Sequence, residues 1–200
     1  MKHYALTKNE HALVCTMNGT ATTMTAALSI ICKMLTSYEP PRRVMDMHEV
    51  IVNYFQWEYE EGMALIIDEA QELNDLIINE LRHIYDECLE NGKPIGLVLC
   101  GNAAFKNRFN HAEASAFAQV TSRIGIRADI QGPGEDDIET ICDARKVFGS
   151  LERKYVLKHG RMGGGLRIVT KLINVASSHA EGNPITITHL RTAGVMMGLE

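Results

Sequence analysis

Acidic and amide side chains stand directly after two apolar runs, where phosphate chemistry would use them. Asp68 and Glu69 follow the run MALII, and Gly101 and Asn102 follow the run IGLVLC. An apolar strand that ends in paired acids is the Walker B arrangement, in which the first acid helps to hold Mg²⁺ and the second polarises the water that attacks a γ-phosphate. An asparagine at the end of the neighbouring strand can position that water. Each feature also has a plainer interpretation, because the acids can simply begin a loop and Asn102 can be a turn residue beside Gly101.

Apolar runs of strand length alternate with segments of helical spacing, and both kinds of element are needed to position these side chains. The runs cover residues 12–17, 63–67 and 95–100, with a weaker one at 124–130. Helical spacing covers residues 24–35, 44–59 and 77–88, the last with Asn74 as its cap. The alternation predicts a parallel sheet of βαβ units. Because ligands of such sheets bind beyond the carboxyl ends of the strands, the two acids and Asn102 are expected at one edge.

Helical patterns dominate after residue 134. They cover residues 135–148, 151–159, 166–179 and 188–198. We therefore predict an α/β domain over residues 1–132 and a smaller all-helical domain over residues 133–200.

The composition is that of a globular protein. Of the 200 residues, 46% are hydrophobic and 22% are charged, which excludes disordered and collagen-like chains. The five cysteines are scattered without a C-x-x-C pair, as is typical of reduced thiols in a cytoplasmic protein. The sequence has no signal peptide and no apolar run of about 20 residues, so we expect no membrane association.

The net charge of −5 is unevenly distributed. Residues 63–93 hold eight acidic and two basic side chains, whereas residues 151–200 hold seven basic and three acidic ones. The basic C-terminal region permits an anionic partner, although solvated helix faces explain the same pattern.

Three long segments together resemble the AAA+ ATPases of DNA transposition, the Mu B-like proteins. The segments are LIIDEAQELNDLIINELRHIYDE, IGLVLCGNAAFKNRF and FAQVTSRIGIR, and both ALVCTMNGTATTMTAALSIICKML upstream and GGLRIVTKLINVA downstream add to the resemblance. The resemblance implies a P-loop NTPase-like α/β fold, a parallel sheet with flanking helices followed by a small all-helical lid. It also implies an ATP-dependent, DNA-binding oligomer that selects target DNA and stimulates a transposase.

The resemblance also assigns roles to individual residues. Asp68 would be the Walker B magnesium residue, Glu69 the catalytic glutamate and Asn102 the sensor 1 residue. Arg123 matches the arginine finger donated to a neighbouring subunit, with Arg127 as a second candidate; the alternative for Arg123 is a surface arginine paired with an acid. Arg167 matches sensor 2, or is an ordinary exposed residue of an amphipathic helix.

The phosphate-binding loop of the family is not found in these 200 residues. No string G-x-x-x-x-G-K-[ST] occurs in them, although its backbone amides and lysine normally cradle the phosphates. By the resemblance, the chain begins just after that loop, with residues 1–10 as the tail of the following helix and the first strand missing. ATP and Mg²⁺, the cofactors of the intact family member, are therefore expected to bind this chain weakly or not at all.

The sequence is compatible with two functions. The first is the AAA+ ATPase domain of a transposition target-selection protein, with DNA contacts from the basic residues of the helical region: Arg153, Lys154, Lys158, Arg161 and Lys171. The alternative is a non-catalytic regulatory or assembly protein, or a gene fragment, derived from such an ATPase.

Overall fold

Three apolar runs form a parallel sheet in the computed structural model, which describes residues 11–58, 60–110, 118–161 and 165–200. The strands are β1 (Ala12–Thr16), β2 (Ala64–Asp68) and β3 (Gly96–Leu99). They lie in the order β1-β2-β3, with Ala12 beside Ala64 and Ala64 beside Gly96. Three of the four predicted strands are thus confirmed, and their carboxyl ends meet at one edge.

Helices connect and flank these strands in the first of two compact units, residues 1–126. They are α1 (Met24–Thr36), α2 (Val44–Trp57), α3 (Asp75–Glu90), α4 (Ala103–Asn110) and the short α5 (Ala118–Thr121), with a 3₁₀ turn at Ala70–Glu72. Two helices begin at a side-chain cap, since Thr23 Oγ1 accepts from Ala26 N at 3.2 Å and Asn74 Oδ1 accepts from Ile77 N at 3.0 Å. The caps fix where each helix leaves the sheet edge.

The core of this unit lies between the sheet and helices α1, α2 and α3. Leu65, Ile66 and Ile67 are buried at consecutive positions of β2, as expected for a central strand covered on both faces. Phe55 of α2 and Leu81 of α3 are also buried in this core. Full burial of each such side chain contributes about 1.5–3 kcal/mol to the stability of the fold. This packing holds the ends of the strands in place.

The prediction of a fourth strand at 124–130 is wrong. This segment has no regular secondary structure, and the side chains of Ile126 and Ile130 are 89% and 95% exposed. Within the described residues β3 pairs only with β2, so no neighbouring strand is available to the segment, and Gly125 and the charged residues that interrupt it weaken its own strand preference. The helix tail predicted at residues 1–10 lies outside the described residues.

The second unit, residues 127–200, is helical throughout its regular structure, as predicted. It contains α6 (Glu135–Ala144), α7 (Ser150–Gly160), α8 (Gly165–Ala180) and α9 (Ile187–Met196). Its core is a separate apolar cluster that includes Ile138, Val156, Leu172 and Leu190. No helix in the described part of either unit is long and apolar enough to cross a bilayer.

A buried histidine without partners interrupts the core of the second unit. The side chain of His159 is fully buried, and neither ring nitrogen has a hydrogen-bond partner, although the ring lies 4.6 Å from that of Tyr155. Burial lowers the pKa of His159, and the charge of Lys158 lowers it further. The buried site therefore favours the neutral form of His159.

We expect this unit to lose stability as the pH falls below about 6.5, the ordinary value for histidine. The unfolded chain takes up the proton first, because the folded-state pKa is lowered, so the stability present above that pH is lost as the pH falls through the folded pKa. His159→Leu should raise the free energy of unfolding by roughly 1–3 kcal/mol and flatten its pH dependence. Urea unfolding at pH 5 and pH 8 measures both effects, with His179→Gln, a change at an exposed histidine, as the control. A His159→Leu protein with an unchanged pH profile would contradict this account.

Candidate functional site

Asp68 ends β2 at the carboxyl edge of the sheet. It is half-buried and lies in register with Thr16, the last residue of β1. Its Oδ1 accepts a hydrogen bond from Glu69 N at 3.0 Å, and its main-chain oxygen accepts one from Met17 N at 3.0 Å. These bonds fix the carboxylate at the position where ligands of parallel sheets bind.

Glu69 follows in a strained backbone conformation. Its φ of 57° and ψ of 40° are left-handed, which costs a non-glycine residue roughly 1–3 kcal/mol. This left-handed conformation turns the chain sharply into the 3₁₀ turn, and the Glu69 side chain is exposed at the sheet edge. Its carboxylate accepts a hydrogen bond from Gln71 Nε2.

Asn102 lies at the end of the adjacent strand and begins helix α4. Its Oδ1 accepts from Ala104 N at 2.9 Å and from Phe105 N at 3.3 Å, which is an N-terminal cap. The preceding Gly101 is required there, since a Cβ at that position would lie 2.7 Å from Phe105 Cβ. Because the carbonyl of Asn102 serves the helix, any contact with a water or phosphate falls to its amide nitrogen.

Backbone and side-chain bonds connect the two strand ends. Cys100 N donates to Ile67 O at 2.8 Å, and Ala70 N donates to Cys100 O at 2.8 Å. Burial raises the pKa of the Cys100 thiol, and the nearby Asp68 carboxylate raises it further. Asp68, Glu69 and Asn102 therefore come together at one edge, as the sequence predicts, with Cys100 beside them.

This edge offers oxygen ligands of the kind that Mg²⁺ prefers. Mg²⁺ in nucleotide sites is usually held by one or two carboxylates together with waters and substrate phosphates. The Asp68 carboxylate fits one such position. Among the residues that the structure describes, no group of three or more ionisable side chains is arranged to hold a metal alone, so phosphates and waters would complete the shell.

Arg123 lies after α5 and is paired with an acid of its own chain. Its Nε donates to Asp86 Oδ1 at 2.9 Å, and Arg82 Nη1 donates to Asp86 Oδ2 at 2.7 Å. The bond to Asp86 raises the pKa of Arg123. The side chain of Arg123 is 54% exposed, against 18% for that of Asp86. The pairing foreseen as the alternative is present, and the guanidinium contacts Asp86 through its Nε edge. Arg127, the second candidate, is exposed in the segment that follows.

Arg167 belongs to the second unit, on an exposed face of α8. It lines a shallow groove there with Leu166, Thr170, Lys171 and Asn174. Helix α8 contains no acidic residue, so this face is basic.

The five basic residues predicted to contact DNA differ in their surroundings. Arg153 is held inside its unit, where Nε donates to Val147 O at 2.8 Å and the two Nη groups bind Glu139 and Asp143. Arg161 is exposed and pairs with Glu135 at 2.8 Å. The exposed lysines of the set are Lys154, Lys158 and Lys171.

Sequence reasoning missed Gln71. Its Oε1 accepts a hydrogen bond from Asn102 N at 3.2 Å while its Nε2 donates to Glu69. The only sequence signal is its place two residues after Glu69 in the run DEAQ. Its link to Asn102 depends on the adjacency of β2 and β3 in the sheet.

Comparisons with known proteins agree with this architecture. The model of an AAA domain family matches residues 2–109, and that of the C-terminal domain of the Mu B transposition protein matches residues 122–196. No curated protein sequence matches the chain.

Solved structures of ORC and Cdc6 proteins have the same fold. The Aeropyrum pernix ORC2 protein, solved in ADPNP–ADP complexes, matches with a TM-score of 0.70 at 17% identity, over 96% of this chain and 54% of that one. Cdc6p from Pyrobaculum aerophilum matches with a TM-score of 0.72 at 18% identity, over 98% and 56%. Drosophila ORC bound to DNA matches with a TM-score of 0.60 at 14% identity, over 98% and 49%. The chain thus spans about half the length of these relatives.

Proposed function

Because the chain belongs to the AAA domain family and carries a Mu B-type C-terminal segment, we propose that it is the ATPase domain of a protein that selects target DNA for a transposase. The observation that carries the proposal is the meeting of Asp68, Glu69 and Asn102 at the carboxyl edge of adjacent parallel strands. These are the residue types that ATP hydrolysis requires at that edge.

The chemistry would be in-line attack of water on the γ-phosphate. Mg²⁺, when bound, would neutralise developing phosphate charge, and Asp68 is the residue that would hold it. Glu69 would accept a hydrogen bond from the attacking water and polarise it, while the Asn102 amide orients that water. Arg123 of a neighbouring subunit would contact the phosphates, which requires self-association, and Arg167 would contact them as the sensor 2 residue.

We expect the 200-residue chain by itself to bind ATP weakly. Most phosphate donors in this class of protein belong to the P-loop, whose motif these residues do not contain, and Asp68 and Glu69 add only negative charge without Mg²⁺. Titration of a fluorescent ATP analogue in the presence of Mg²⁺ measures the affinity. Low-micromolar binding would contradict this expectation.

A chimera tests the proposal directly. A P-loop strand and helix placed ahead of residue 1 should confer ATP binding and Mg²⁺-dependent hydrolysis, and the matched control carries alanine in place of the P-loop lysine. A chimera that binds ATP and does not hydrolyse it would favour the alternative, a non-catalytic regulatory or assembly protein. That alternative is also supported by the use of the Asn102 carbonyl as a helix cap.

DNA binding is proposed for the exposed basic residues of the second unit. The Mu B-type segment includes them, and the basic face of α8 suits a phosphate backbone. Arg153, held by three acceptors, is the least available of the five predicted residues. The transposase remains the proposed protein partner.

We expect Lys158→Gln and Lys171→Gln each to lower the affinity for DNA, by the same factor whatever the DNA sequence. Each change should also reduce the slope of log affinity against log salt by roughly 1, because one phosphate contact releases about one counterion. Fluorescence anisotropy with two unrelated duplexes over a salt series gives both quantities. Lys33→Gln, which removes an exposed lysine of the first unit, is the control. Binding that is insensitive to salt or strongly sequence-specific would contradict the assignment.

A further inference from the structure

One side chain joins the two strand ends that carry the predicted catalytic residues. Gln71 lies in the 3₁₀ turn after β2, where its Nε2 donates to the Glu69 carboxylate. Its Oε1 accepts from the backbone N–H of Asn102 at 3.2 Å. The amide therefore spans from the end of β2 to the end of β3.

Both partners require the amide in a single orientation. A carboxylate can only accept and a backbone N–H can only donate, so exchanging the two ends of the Gln71 amide would break both bonds. The backbone at Glu69 is itself held in a left-handed conformation by the same turn. Both the side chain and the backbone of Glu69 are thus conformationally restricted.

We propose that Gln71 is a positioning residue that fixes the Glu69 carboxylate and couples it to the strand end at Asn102. The catalytic meaning of this coupling rests on the proposed function, whereas the coupling itself does not. A change at Glu69 is transmitted through Gln71 to the Asn102 N–H, and loss of Gln71 disconnects the two residues. Because the Asn102 side chain caps the start of α4, that helix is connected to the same set of hydrogen bonds.

Amide hydrogen exchange of the Asn102 N–H, followed by NMR on the 200-residue chain, measures the coupling. Gln71→Ala should accelerate this exchange roughly 3–10-fold, the effect of losing one hydrogen bond. Glu69→Ala should accelerate it to a smaller extent, because Gln71 then loses its anchor. The double variant should match Gln71→Ala alone. The proposal would be overturned if Gln71→Ala and Glu69→Ala accelerated the exchange equally and additively, or if neither variant changed it.

An exchanged pair separates positioning from a general structural effect. Gln71→Glu alone places two carboxylates face to face and should accelerate exchange at Asn102. Combining it with Glu69→Gln restores a donor opposite an acceptor and leaves a carboxylate to accept from Asn102 N–H, so protection should return. Failure of the exchanged pair to restore protection would overturn the proposal, since a residue that merely fills space would not respond to the direction of donation.

Turnover in the P-loop chimera distinguishes this proposal from the proposed function. Gln71→Ala should lower kcat with little change in KM, and the exchanged pair should stay inactive because its carboxylate is at position 71. If Glu69→Gln leaves hydrolysis unchanged while Asn102 exchange still depends on Gln71, the proposed function fails and the coupling stands. If Glu69→Gln abolishes hydrolysis while Gln71→Ala alters neither exchange nor kcat, the coupling fails and the proposed function stands.

Discussion

Replacing Glu69 with glutamine is expected to lower ATP turnover by roughly 10²–10⁴-fold in the chimera that supplies a P-loop, the usual loss when a general base is removed. Glutamine keeps the size of the side chain but cannot accept a proton or polarise the attacking water to the same degree. ATP binding should persist, because Glu69 is exposed at the strand end and its proposed role is on the attacking water rather than on the nucleotide. Single-turnover hydrolysis with radiolabelled ATP, alongside equilibrium binding, separates the two effects.

The control for this change is Glu61→Gln, an exposed acid in the turn that precedes β2 at the opposite end of the same strand. It changes the net charge equally and should leave turnover unaltered. Hydrolysis that continues at the original rate in the Glu69→Gln protein would show that the Walker B assignment is wrong.

Local signals explain why the sheet was predictable from sequence. The run ALIID of β2 is apolar until its last residue, and a central strand covered on both faces requires just that pattern. Asn74 marks the start of α3 because its side chain caps the helix within three residues, an interaction encoded entirely by neighbours in the chain. The helical C-terminal region, predicted from its own periodicity, and the AAA+ fold class, which the family resemblance implied, are both confirmed.

Features that depend on partners distant in the chain were not predictable in the same way. The segment 124–130 has strand-forming isoleucines, yet a strand forms only beside another strand, and no described strand lies against it. The bond between Gln71 and Asn102 crosses 31 positions of sequence, and nothing in either residue type indicates the other. The selection of Asp86 as the partner of Arg123 likewise depends on the packing of α5 against α3.

Arg123→Ala is expected to reduce turnover of the assembled chimera by roughly 10³–10⁵-fold, the range for loss of an arginine finger. The fold should survive the change, because Asp86 keeps its 2.7 Å bond to Arg82 on the same helix. In the structure Arg123 contacts Asp86 through Nε, so the opposite edge of its guanidinium is the one suited to a phosphate of the neighbouring subunit. Steady-state hydrolysis against protein concentration measures the loss, and Arg42→Ala, at another exposed arginine of the first unit, is the control.

Mixing two inactive variants tests whether Arg123 acts between subunits. Arg123→Ala protein retains Glu69, and Glu69→Gln protein retains Arg123, so an interface that joins one of each contains a complete site. Turnover should therefore reappear on mixing, rise with total concentration and reach a maximum near equal proportions. If Arg123 acted on the nucleotide of its own subunit, mixing would restore no turnover. Mixing would also restore none if Arg123 served only to hold α3 and α5 together through Asp86. Mixtures that stay inactive at concentrations where the chimera assembles would rule out the finger.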